Sequence, residues 1–253
     1  MTPSPLPELD LSDDDRKVLS LLETEPPSRT RHCFRSAIDH LRRALLIQQT
    51  DPAMAVFRSI TAEEEAASGL MHALILRNYP NSNLLKPRDH VQKHAVTPFL
   101  RSLLHHLAEI KLNGVHGVRL AVTEIEGANR LVVGFLLEGE SEPQTATPIP
   151  PLNLSLRDGN TDRFPDRSRN IREMLEPIGY TNVMSFLQGE SNLRNRILYA
   201  GPNGYPLIQD LRPQYILERQ RRVLTILKAT LLVLPYDEVQ LFASDALASF
   251  LRL

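Results

Sequence analysis

Apolar residues recur at helical spacing through most of the chain, and the exceptions are local. Ser12 followed by Asp13, Asp14 and Asp15 marks a helix start, since carboxylates favour the positive end of the helix dipole. The short helix carries Val18, Leu19 and Leu22 and stops at Pro26-Pro27, which makes residues 1–27 an N-terminal arm. A long helix is predicted over 28–49, with Phe34, Ala37, Ile38, Leu41, Ala44 and Leu45 in one stripe. Asp51 then offers a cap and Pro52 a first helical residue. The helix they open reaches about Arg77 and turns Val56, Phe57, Ile60, Ala67, Leu70, Met71 and Leu74 inward. A third helix runs over 87–112 with Val96, Phe99, Leu100, Leu103, Leu107 and Ile110 buried. Pro98 inside it predicts a kink, or a restart with Thr97 as cap.

After Asn113-Gly114 the period changes to two. Val118, Leu120 and Val122 alternate with Arg119, Ala121 and Thr123, as in a strand with one wet face. Glu126-Gly127-Ala128-Asn129 reads as a turn and 130–137 as a second strand, while Leu152, Leu154 and Leu156 suggest a third. Helices resume at 169–175, 182–188, 213–234 and 237–253, the last opened by Asp237 and Gln240 in the manner of a capping box. The expected fold is mostly α (α+β): a helical bundle with a small antiparallel β-sheet inserted mid-chain. Its units are the arm, a helical half over 28–112, the β insert over 115–157, and C-terminal helices over 168–253 that pack on the first half.

Glu63 and Glu64 break the pattern, because both fall inside the apolar arc of their helix at ~100° per residue. Buried carboxylates must meet cations. The basic face of the preceding helix, particularly Arg35 and Arg42, is the nearest source in sequence.

Composition narrows the classes. Within 253 residues, 29 Lys+Arg nearly balance 30 Asp+Glu, which excludes a global polycation but not a local basic patch. The single cysteine, Cys33, excludes an intrachain disulfide and a Cys-rich zinc fold. The N-terminus lacks the basic segment and apolar run of a signal peptide, and Lys228 interrupts the most apolar stretch, 223–234. A soluble cytoplasmic protein without a membrane partner is the expectation.

The segment Arg88-Asp89-His90-Val91-Gln92-Lys93-His94 carries the most suggestive chemistry. It resembles the Arg-polar-x4-His signature of the HEPN superfamily, helical bundles that include many metal-independent ribonucleases of toxin and antiviral defence systems. The resemblance covers about residues 28–112. It implies His94 as acid/base, Arg88 as the phosphate contact, Asp89 as the polar residue after the Arg, and a homodimer whose protomers face their motifs toward each other. The chemistry suits the residue types, since a guanidinium binds a phosphodiester bidentately and an imidazole exchanges protons near neutral pH. A second segment, 190–201, looks like the Leu-Arg-Asn…His-Gly form of the same signature at Leu193-Arg194-Asn195, with Tyr199 near the place of the His. Read without the family, it is a helix end with Arg194 and Arg196 solvated.

Other readings compete. His90, His94, Thr97, Arg101 and His105 share one sector of the third helix, a wet face on which His90, Arg101 and His105 are candidate nucleic-acid contacts. His90 and His94 also stand at a metal-ligating spacing, with Glu63, Glu64, Glu65 and His72 as further donors, but the paired Glu-x-x-His pattern of di-iron bundles is missing. No metal and no cofactor is therefore expected. Gly-x-Ser-x-Gly and phosphate-loop motifs are absent as well. Two functions remain: a HEPN-like module that binds RNA or cleaves it without metal, and a non-enzymatic interaction subunit of a larger assembly with a protein partner.

Overall fold

A computed structural model describes residues 6–24, 28–109, 115–137, 144–155, 183–200, 204, 208–209, 211–212 and 214–253. The described chain is mostly helical with one small antiparallel sheet. The helices are α1 (Asp13–Thr24), α2 (Arg29–Ile47), α3 (Pro52–Leu76), α4 (His90–Glu109), α5 (Val183–Leu198), α6 (Gln214–Leu231) and α7 (Leu241–Phe250), with one 3-10 turn at Ser82–Leu84. The strands are β1 (Val115–Ile125), β2 (Ala128–Leu137) and β3 (Gln144–Ala146).

The helix starts follow capping chemistry. Ser12 Oγ accepts from the Asp15 amide at 3.1 Å, Ser28 Oγ from Arg31 at 3.3 Å, and Asp51 Oδ1 from Met54 at 3.0 Å. Each such cap is worth about 1 kcal/mol, because it satisfies an amide that the helix cannot. Asp89 caps α4, accepting from the Gln92 amide at 3.1 Å. The helix therefore opens at His90, later than the predicted Pro87. Pro98 lies within an uninterrupted α4. No restart occurs there, since Thr97 turns its hydroxyl to Glu63 instead of to the backbone ahead.

α3 is the central element. Small residues Ala55, Ala62, Ala66, Ala67 and Ala73 let its neighbours approach closely, and α2 packs on it through Phe34, Ala37, Leu41 and Ala44, all fully buried. Gly69 gives room to the Phe34 ring, whose Cε2 would lie 2.9 Å from a Cβ at that position. α6 crosses α3 on another side with Val223, Ile226, Leu227 and Leu231 inward. α7 closes the core at the far end, where the Phe250 ring meets Phe99 of α4 edge-on at 5.4 Å. The arm joins this same core through Leu9, Val18, Leu21 and Leu22. Lys228 of α6 pairs with Asp15 at 2.7 Å, and the Gln220 amide donates to the Asp10 carbonyl at 2.6 Å.

The sheet has order β1-β2-β3, all antiparallel. Its third strand is not the predicted leucine run. Leu152 and Leu154 pack against the core from a non-strand segment, where the Leu152 amide donates to Gln240 Oε1 at 2.7 Å and its carbonyl accepts from Phe242. The third strand comes instead from Gln144–Ala146, between the second predicted strand and the leucine run. The Asp237/Gln240 capping box is also replaced. Gln240 spends its side chain on Leu152 and on the Leu232 carbonyl, while Asp237 pairs with Arg77. Leu156 and the helix predicted over 169–175 lie outside the described residues.

Candidate functional site: a buried charge cluster beside a basic cleft

Glu63 and Glu64 are buried, as their place in the apolar arc of α3 predicts. Their partners are not Arg35 and Arg42. Arg35 pairs with Glu23, and Arg42 is exposed. The cations come from helices distant in sequence.

Glu64 lies between α4 and α5. Its Oε1 accepts from His90 Nδ1 and from His94 Nε2, each at 3.0 Å, which places the ring protons on those nitrogens. Its Oε2 meets Lys93 Nζ at 3.3 Å and an Arg194 guanidinium nitrogen at 2.8 Å. Arg194 also stands over the Phe57 ring at 5.6 Å, so its charge is held between a carboxylate and an aromatic face. Burial pushes the Glu64 carboxyl up, but the His94 hydrogen bond and the charges of Lys93, His94 and His90 outweigh it and hold the group at about 2.

Glu63 lies between α4 and α6. It accepts from Thr97 Oγ1 at 2.5 Å and from Arg219 at 2.6 Å, with Arg222 at 3.6 Å. Burial again opposes ionisation, and the charges of Arg219 and Arg222 with these hydrogen bonds draw the carboxyl below its ordinary value. Arg219 is packed 5.3 Å from the Tyr215 ring centre and donates to its hydroxyl.

Beside this cluster, α4 and α6 leave an open cleft of about 430 Å³. Among the described residues Arg101, Arg221 and Arg222 line it with Glu218 as the one carboxylate, and Leu100 adds an apolar side chain. Arg222 belongs to both features, facing the cleft and reaching Glu63.

The sequence-derived residues are divided by this geometry. His94 and Lys93 are buried against Glu64, and His90 joins them half-exposed. Asp89 is a helix cap. Arg88 is exposed and outside the cluster, so the structure does not bring the Arg88 guanidinium and the His94 imidazole into one pocket within this chain. The histidine-arginine stripe of α4 is not one wet face. His94 and Thr97 are buried under α3, between a half-exposed His90 and the exposed Arg101 and His105. Arg194 is an ion-pair partner of Glu64, unlike Arg196, which is exposed.

Arg219, Arg221 and Arg222 escaped the sequence reading. Their signal is the mirror of the glutamate one: Arg219 stands between Ile216 and Val223 on the buried stripe of α6. Among the described residues no group of three His, Cys, Asp or Glu side chains is placed to hold a metal ion. No described helix is long and apolar enough to cross a membrane. No protein-family model, curated protein or solved structure matches the chain.

Proposed function

We propose that the chain is a helical RNA-binding module that grips backbone phosphates in the α4–α6 cleft. Arg101, Arg221 and Arg222 supply the guanidiniums, each able to hold a phosphate through paired N–H donors. His105, one turn beyond Arg101 on α4, extends the same exposed side. One observation carries the reading: Arg101 of α4 and Arg221 and Arg222 of α6 line one open cleft in which Glu218 is the one carboxylate among the described residues, in a chain of nearly balanced charge. The clustering is local, as a phosphate-tracking groove requires. The partly exposed Leu100 gives the cleft an apolar side chain against which a base can rest.

His94 serves here as a positioning residue. Its Nε2 is committed to Glu64 and its side chain is buried, so it orders the start of α4 and does not attack or protonate a phosphodiester. The module binds RNA without cleaving it through His94.

Fluorescence anisotropy with a short single-stranded RNA, read over a salt series, tests this. Arg101→Ala combined with Arg221→Ala removes two exposed cations and should lower the slope of log K against log salt by about 1.4, at ~0.7 per lost phosphate contact. Wild-type protein that ignores the RNA, or a double variant that binds it equally well, refutes the proposal. RNA cleavage that disappears in a folded His94→Gln variant refutes the non-catalytic role of His94.

A further inference from the structure

Among the described residues β1 forms one edge of the sheet, and the hairpin that closes it fixes which of its backbone groups face outward. Ile125 pairs with Ala128 across the two-residue turn Glu126–Gly127, where φ is 52° and 78°. Two positive φ values are those of a type I′ turn, whose closing pair exchanges both of its hydrogen bonds. Hydrogen-bonded and non-bonded pairs then alternate along the ladder. Thr123, Ala121 and Arg119 turn their N–H and C=O groups toward β2, and Glu124, Val122, Leu120 and Val118 turn theirs to the outer edge.

Those outward residues also share one side-chain face. Val122 packs on the core there, but Val118 and Leu120 are 46% and 43% exposed. A long edge with apolar side chains and outward backbone groups is a template for another strand.

We infer that this edge pairs with the β1 edge of a second copy, antiparallel about a two-fold axis at Leu120. The alternation requires outward residues to pair with outward residues, which leaves few symmetric registers. Centring on Leu120 sets Leu120 against Leu120, Val118 against Val122, and Glu124 against His116 of the second copy, the residue at which the β1 ladder bulges. Moving the axis to Arg119 sets two guanidiniums against each other, and moving it to Ala121 sets Glu124 against Val118. Apolar matching and the avoidance of an arginine pair therefore favour the Leu120 register, and the two three-stranded sheets become one of six strands. The pairing is independent of the RNA reading, because it uses no residue of the α4–α6 cleft.

Light scattering coupled to size exclusion tests it on the full chain. The expected mass is twice the 28.6 kDa of one chain. Leu120→Lys brings two like charges together at the axis and should give a monomer with unchanged helical circular dichroism. Because Leu120 is exposed in a single chain, folding does not depend on it. Glu124→Arg should raise the dimer dissociation constant roughly tenfold through its two symmetric pairs, and His116→Glu added to it should restore dimerisation. A monomeric wild type, a dimer that survives Leu120→Lys, or a charge swap that fails to rescue overturns the inference.

Discussion

Removing the Glu64 carboxylate should unfold this protein far more readily than removing any exposed acid. Glu64→Ala leaves Lys93 and His94, with side chains 7% and 3% exposed, without the group that balances them. Arg194 and His90 can turn to water, at 25% and 42% exposure, so they add little to the loss. Stranding a buried charge by deleting its partner costs about 3–5 kcal/mol. At roughly 2–4 °C per kcal/mol for a domain of this size, Tm should fall by about 6–20 °C. Glu64→Gln should also destabilise, since a neutral amide offers one accepting oxygen where His90, His94, Lys93 and Arg194 now share two, and leaves the buried Lys93 without a counter-charge. The contrasting control is Glu23→Ala, whose ion pair with Arg35 is half-exposed on both sides and should cost under ~1 kcal/mol. Urea unfolding followed by circular dichroism measures all three. If Glu64→Ala lies within about 1 kcal/mol of wild type, the cluster is no more than a surface ion pair and the reasoning fails.

Two further outcomes follow from the same packing. The Glu64 carboxyl is held at about 2 against an ordinary 4.5, so the folded state binds fewer protons than the unfolded one between those values; its contribution is complete above about pH 4.5 and is lost as pH falls toward 2. That loss is about 3 kcal/mol, visible as a falling urea midpoint in wild type that is flattened in Glu64→Gln, and equal acid slopes in both would contradict it. Gly69→Ala should lower Tm despite the better helix propensity of alanine, because its Cβ would meet the fully buried Phe34 ring, a net cost of about 1–2 kcal/mol; an unchanged or higher Tm would show that the ring gives way.

Local chemistry was legible in the sequence and distant partnership was not. The caps at Ser12 and Asp51 and the stripe of α2 depend on neighbours a few residues away, so spacing alone locates them. The burial of Glu63 and Glu64 was readable for the same reason. Their partners were not, since Arg219 stands 156 positions from Glu63 and only the packing of α6 on α3 joins them. Proximity in sequence pointed to Arg35 and Arg42, on a helix that meets α3 through its apolar stripe and keeps those two arginines for other surroundings. The leucines at 152 and 154 misled for a related reason. Alternating apolar residues mark extended chain with one buried face, and here a glutamine side chain from the start of α7 satisfies that chain instead of a neighbouring strand.

Adjacent glutamates on one helix point about 100° apart, and this splits the work of the pair. Glu64 ties the first turn of α4 to α5, and Glu63 ties the middle of α4 to α6. α4 is thus held at two points along its length, with Arg101 one turn beyond the second. Arg222 is held by the same Glu63, and it forms the opposite wall of the cleft. The two walls that carry the exposed arginines therefore take their spacing from one buried carboxylate. Around the two glutamates stand four basic side chains, Lys93, Arg194, Arg219 and Arg222, so the acids do not exhaust the basic groups they gather. Arg222 is the member of that set which borders the cleft, and through it the excess opens onto the surface. A cluster that exists to satisfy two misplaced carboxylates in this way becomes the scaffold of an anion-seeking groove.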